Sequence, residues 1–133
     1  SVILCIGERE RDSEGKYLRD IGEQLASALG KVPKKMLSRV IVAYEPIWAI
    51  GAQALRAAEP ADVLEMSIYI RRILTNLIGA VASKEIALVY GGSVDPKNTE
   101  GFLLHGGVQG LLVGRDSLNP KSFEKIITTA SLI

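Results

Sequence analysis

Val40-Ile41-Val42-Ala43-Tyr44-Glu45-Pro46-Ile47-Trp48-Ala49-Ile50-Gly51 is the run that decides the architecture. Its first five residues, three of them β-branched, have the composition of a strand buried on both faces. Glu45 follows, and Pro46 cannot pair within a central strand, so the strand stops at Glu45. One carboxylate therefore stands at the carboxyl end of a buried parallel strand, where open α/β sheets and barrels carry their active sites. Trp48 and Gly51 then open a loop whose composition suits a segment that hinges. By itself, a strand-end Glu serves equally well to cap a neighbouring helix or to pair with an arginine.

Outward from this strand the same grammar recurs. Val2-Ile3-Leu4-Cys5-Ile6 is an apolar run closed by Gly7 and reads as a buried strand. Glu8 to Glu14 is a charged loop. From Lys16 to Leu29, Tyr17, Ile21, Leu25 and Leu29 form the stripe of a helix that packs on one side. Gly22 costs that helix about 1 kcal/mol relative to Ala, and Gly30 suits a left-handed residue that ends it. Lys31 to Arg39 is a polar connection, and Gly51 to Pro60 is a candidate lid. Asp62 to Ala82 reads as one long helix with Val63, Met66, Ile70, Ile73, Leu74 and Leu77 on its apolar side, and Pro60 suits its first turn. Ile86 to Tyr90 is a third buried strand and Gly110 to Val113 a fourth. Asp95-Pro96 and Asn119-Pro120 each read as an N-cap followed by a proline at the first helical position. Those helices run to about Leu104 and Thr129. The order is βαβαβαβα, which demands parallel strands with right-handed crossovers. Periodicity leaves open a doubly wound sheet or part of a barrel.

Composition narrows the function classes. A chain of 133 residues has room for one domain with a core. Hydrophobic content of 47% and a mean hydropathy of +0.20 mark a folded chain. A net charge of +1 offers no electrostatic footprint for nucleic acid or an anionic membrane. A single cysteine rules out an internal disulfide and suits a reducing compartment. No apolar run reaches the ~18 residues that span a bilayer. The amino end lacks the basic-then-apolar pattern of a signal peptide. One histidine and one cysteine give no metal-ligand spacing.

Three strand ends carry glycine turns: Gly51, Gly91-Gly92-Ser93 and Gly114. Such turns present backbone N–H groups unobstructed by Cβ. Beside helix amino termini they form an anion site that needs no lysine. Any one of them is also what an ordinary βα connection uses. All three beside a strand-end Glu point to a base next to a phosphate cradle.

Four motifs, CIGE (Cys5 to Glu8), AYEPIWAIG (Ala43 to Gly51), YGGSV (Tyr90 to Val94) and LLVGRDSL (Leu111 to Leu118), follow one another in the chain. With them the sequence resembles the triosephosphate isomerase family from about Val2 to its carboxyl end. The resemblance implies a (β/α)₈ barrel, of which residues 1–133 are the C-terminal half, about four β/α units. It implies Glu45 as catalytic base and Pro46, Ile47 and Trp48 as the first hinge of a lid. The backbone N–H groups of Gly51, Ser93, Gly114 and Arg115 would hold the substrate phosphate. Tyr90 and Ser93 would hold the closed lid, and Glu8 would pair with the Trp48 indole in the open one. The implied reaction interconverts dihydroxyacetone phosphate and glyceraldehyde 3-phosphate by proton transfer, without cofactor or metal, in a cytoplasmic homodimer. No nucleic-acid or membrane partner is expected.

The sequence departs from the family pattern in three places. Arg115 stands beside Gly114 where the family usually has a second glycine. The lid reads Ala52-Gln53-Ala54-Leu55-Arg56-Ala57-Ala58 where the family typically has Thr-Gly-Lys-Thr-Ala, and it is about two residues longer. The family's electrophilic His and substrate-binding Lys lie in the first half of its barrel, which needs about 250 residues in all. The expectation is a fragment, inactive or nearly so alone, that self-associates or pairs with a missing N-terminal half. The rival expectation is a non-catalytic phosphate-binding or self-assembling half-barrel; a different α/β enzyme using Glu45 is the third. His105 reads as a surface or helix-end residue, and Cys5 as a small buried apolar one. Arg71-Arg72 and Lys34-Lys35 read as solvated charges, and Met66 as core.

Overall fold

A computed structural model describes residues 1–51 and 54–133. The elements are β1 (Val2–Ile6), α1 (Lys16–Leu29), β2 (Val40–Tyr44), α2 (Pro60–Ile78), α3 (Ala80–Glu85), β3 (Ala87–Tyr90), α4 (Thr99–His105), β4 (Gly110–Leu111) and α5 (Pro120–Ser131). Short 3₁₀ segments occupy Lys34–Arg39, Ile47–Ala49 and Arg115–Leu118. The strands form one parallel sheet in the order β1-β2-β3-β4. That order has each new strand added beside the last, the progression of a barrel and not of a sheet that reverses about its middle. This settles the choice that periodicity left open.

Strand alternation sorts the side chains. Ile6, Val42, Tyr44, Leu88 and Tyr90 point into a core with Ile21 and Leu25 of α1, Val63, Met66, Ile70 and Leu74 of α2, Phe102 of α4 and Ile126 of α5. Ile3, Cys5, Ile41, Ala43 and Val89 fall on the opposite face. Helices therefore cover one side of the sheet only, as in half of a β/α barrel.

Several expectations need correction. β1 is not a buried strand: it pairs on one side only, and Val2 and Ile3 are 63% and 48% exposed. Cys5 is likewise exposed, not packed. The long helix expected from Asp62 to Ala82 begins at Pro60 and breaks at Gly79, whose φ of +91° lies outside helical space. The third strand starts one residue later than expected, at Ala87, and the fourth ends at Leu111. Leu112 still donates its N–H to the carbonyl oxygen of Tyr90 at 2.8 Å. Gly30 keeps right-handed helical angles. Asn119 caps α5 as expected, accepting from the N–H groups of Lys121 and Ser122. Asp95 does not start α4 directly. It accepts from the N–H groups of Lys97 and Asn98 in the turn before the helix, while Asn98 accepts from the N–H of Asp95.

Arg71 is the other correction. Its guanidinium donates to the carbonyls of Ser83 and Ile86 at 2.7 and 2.6 Å and to the Gln109 amide oxygen at 2.7 Å. Gln109 accepts in turn from the N–H of Leu88 at 2.8 Å. One side chain thus fastens α2 to the end of α3 and the starts of β3 and β4. Charged hydrogen bonds are worth about 1.5–3 kcal/mol each. Arg71→Met should therefore lower unfolding free energy by about 3 kcal/mol, measured by urea titration, whereas Arg72→Met, on an exposed neighbour, should change it by less than about 0.5 kcal/mol.

Candidate active site at the strand ends

Glu45 is held by its backbone at the carboxyl end of β2. Its N–H donates to the carbonyl of Ile6 at 2.7 Å, and Gly91 donates to the carbonyl of Tyr44 at 2.9 Å. Two glycines make this seat possible. A Cβ on Gly7 would overlap the Glu45 carbonyl oxygen, and one on Gly91 would stand 2.7 Å from Glu45 Cγ. Alternation carries Glu45 onto the face not covered by helices, the face of Cys5 and Ala43. The carboxylate pushes the Cys5 thiol pKa up, first by accepting its hydrogen bond, with burial and charge repulsion adding to the effect. Both residues line a cleft of about 700 Å³ together with Gly7, Glu8, Ile47 and Ile50. Glu45→Gln should lower the thiol pKa and speed alkylation of Cys5 by iodoacetamide at pH 8. An unchanged rate would mean that the two groups do not interact.

Glu8 is the hub of the hinge. Only 2% exposed, it accepts at one oxygen, Oε1, from the indole N–H of Trp48 at 2.7 Å, from the Tyr44 hydroxyl at 2.7 Å and from Arg11 Nε at 3.2 Å. Arg11 Nη2 also donates to the Tyr44 hydroxyl at 3.2 Å. Burial and the neighbouring carboxylate drive the Tyr44 pKa well above its usual value. Burial opposes the charge on Arg11, but Tyr44 and Glu8 outweigh it and its pKa is raised. The backbone follows the same path, since Ile47 donates to the carbonyl of Glu8 at 2.9 Å. Pro46 is buried, Ile47 is exposed, and the 3₁₀ turn Ile47–Ala49 leads into the loop.

The remaining rim residues come from β3 and β4. Ser93 Oγ donates to the carbonyl of Ala49 at 3.0 Å, joining the third strand's turn to the hinge. Tyr90 lies fully buried beside Phe102, with ring centroids 4.3 Å apart, and its hydroxyl bonds none of the described residues. Burial pushes its pKa up to about 12. Gly51 has a φ of +78° and open space at its Cβ position, and Gly114 also borders open space. Arg115 is exposed beside it. Of the expected lid, Ala52 and Gln53 lie outside the described residues.

The structure thus brings Glu45, Glu8, Trp48 and Ser93 into one connected rim, and the Tyr90 hydroxyl bonds none of the described lid residues. His105 is exposed at the carboxyl end of α4, which leads to the start of β4, away from this rim. Among the described residues no cluster suits a metal ion. Sequence reasoning missed Arg11 and Tyr44. Alternation alone could have placed Tyr44 inward, where its hydroxyl needs a buried partner.

Parallel strands joined by helices, with a carboxylate at one strand end and glycine turns at three, define half of a β/α barrel. A family model described as triosephosphate isomerase matches residues 1–130. Curated triosephosphate isomerases match over similar spans. That of Lawsonia intracellularis is 42% identical over 128 residues, covering 96% of this chain and 50% of the relative. Those of Dictyoglomus turgidum and Aquifex aeolicus are 37% and 38% identical over 126 residues, covering 94% of this chain and 50% and 49% of the relatives. The chain belongs to the triosephosphate isomerase family and spans about half the length of the curated relatives it matches.

Proposed function

We propose that this chain carries the general base and phosphate rim of a triosephosphate isomerase. Glu45 takes a proton from the carbon next to the carbonyl of dihydroxyacetone phosphate. It returns it to the neighbouring carbon to give glyceraldehyde 3-phosphate. No cofactor enters the reaction. The N–H groups of Gly51, Ser93, Gly114 and Arg115 bind the phosphate, and the segment from Pro46 through Trp48 hinges the lid that excludes water. The observation that carries the reading is the Glu45 seat: a strand-end carboxylate that two glycines admit, on the uncovered face and joined to the Glu8–Trp48 hinge. Among the described residues the strand ends supply no Lys or His to polarise the carbonyl, a function whose loss costs about 10²–10³ in rate. The isolated chain is therefore inactive or nearly so. It works in the cytoplasm with an N-terminal half or, by closing its open edges, with another copy of itself.

No helix of the described residues is long and apolar enough to cross a membrane. A coupled isomerase assay on the purified chain tests the reading. The expected result is a rate near background that rises when the N-terminal half of a relative is supplied. A rate near that of whole isomerases, lost in Glu45→Gln, would refute the claim that the chain alone is incompetent. The exposed edge of β1 favours a second reading, a phosphate-binding half-barrel that assembles without turnover. Binding of 2-phosphoglycolate with no activity in any pairing would favour it.

A further inference from the structure

We propose that Arg56 is a positioning residue that holds the Trp48 indole, and with it the hinge, in the resting place seen here. The proposal rests on reading this segment as a lid. Arg56 lies in the stretch where the loop differs from the family pattern, and it is tied at both of its terminal nitrogens. Nη1 donates to Asp62 Oδ2 at 2.6 Å and Nη2 to Asp62 Oδ1 at 2.7 Å, while Nη1 also reaches the carbonyl of Ala57 at 3.0 Å. The planar fork of an arginine fits a carboxylate in this two-pronged way, which a lysine cannot do. The same guanidinium stands over the Trp48 ring, 4.6 Å from its centroid.

A second cation completes the device. The Arg11 guanidinium stands 5.2 Å from the Trp48 centroid and donates to Asp62 Oδ1 at 3.3 Å and to the Asp62 carbonyl at 3.0 Å. Asp62, in the first turn of α2, also accepts from the N–H of Glu59 at 2.8 Å. One carboxylate, fixed to a helix start, therefore anchors both cations that face the indole. Indole is the side chain that attracts cations most strongly. The loop backbone closes the circuit, because Leu55 donates to the carbonyl of Trp48 at 2.8 Å. Trp48 cannot swing out without leaving both guanidiniums. Arg11 also serves Glu8 and Tyr44, so Arg56 is the contact that concerns the loop alone. Its side chain is half exposed, which makes it the part of the circuit that salt weakens first.

The chain has one tryptophan, so its emission reports on this position only. Acrylamide quenching of Trp48 should be compared in the parent, Arg56→Gln, Arg56→Lys and Asp62→Asn, with Arg72→Gln as an exposed control and thermal midpoints measured alongside. Arg56→Gln should raise the quenching constant about two- to fivefold, the scale of one cation–π contact, with little change in midpoint. Arg56→Lys should fall between parent and Arg56→Gln. Unchanged quenching in Arg56→Gln overturns the proposal, as does an equal rise in Arg72→Gln. Titration with 2-phosphoglycolate separates this claim from the lid itself. If the Arg56 variants free Trp48 while phosphoglycolate moves the emission of none of them, the positioning role stands and the lid reading fails.

Discussion

Glu45→Gln, placed in a barrel completed by the N-terminal half of a relative, is expected to lower turnover by about 10²–10⁴-fold, the usual contribution of a positioned general base. Binding of 2-phosphoglycolate should be nearly unchanged. The substitution keeps the size of the side chain, so the close fit against Gly91, where a Cβ would stand 2.7 Å from Glu45 Cγ, is preserved. Only the proton acceptor is lost. The measurement is kcat and KM in a coupled assay. A rise in KM with kcat unchanged would mean that Glu45 binds substrate and moves no proton. The companion Gly91→Ala should also lose activity although it adds no polar group, because its new methyl displaces the Glu45 carboxylate.

The second large effect is expected at Glu8. Removing one partner of a buried ionic cluster costs about 3–5 kcal/mol, because the groups left behind remain buried without partners. Glu8→Ala would strand the buried Trp48 indole N–H and take the Tyr44 hydroxyl's acceptor away, while Arg11 would keep its bonds to Asp62 and Glu65. A domain is stable by only about 5–15 kcal/mol, so the loss is a large share of the total. Urea unfolding followed by circular dichroism reads it. Glu8→Gln keeps an acceptor oxygen while losing the charge, and it should recover a part of the difference. Equal and small losses in both variants, below about 1 kcal/mol, would show that the cluster contributes little.

Much of this architecture was legible in the sequence. The β-branched run before Glu45, the capping asparagine before Pro120 and the stripe of α1 all follow from local chemistry. So does the placement of Glu45 at a strand end, since Pro46 permits nothing else there. The pairing of Glu8 with Trp48 came from resemblance, because no spacing rule links residues 40 apart. What stayed hidden depended on neighbours supplied by the fold. β1 reads like β2, yet only β2 has a partner on each side, so the same composition gives one exposed and one buried strand. Arg71 reads like Arg72, yet only Arg71 lies over three acceptors. Arg11 sits among charges that look alike in a loop, and its role is set by a helix 51 residues further on. The break at Gly79 is the exception: a glycine inside a helical pattern was visible, and its use as a joint was not.

Parallel strands have a consequence for how the molecule can be altered. Every β→α turn lies at one end of the sheet and every α→β turn at the other. The first end carries Glu45, Ser93 and the hinge, and the second carries the Arg71 fastening to Ser83, Ile86 and Gln109. Among the described residues, the side chains that fasten the second end are not those that bond the hinge at the first. Insertions, tags or fusions in the turn at His105–Gln109 should therefore cost stability while sparing ligand binding, and rebuilding the turn at Ser93 should do the reverse. The two ends can be altered separately, provided that a library at the rim leaves the buried Glu8 in place.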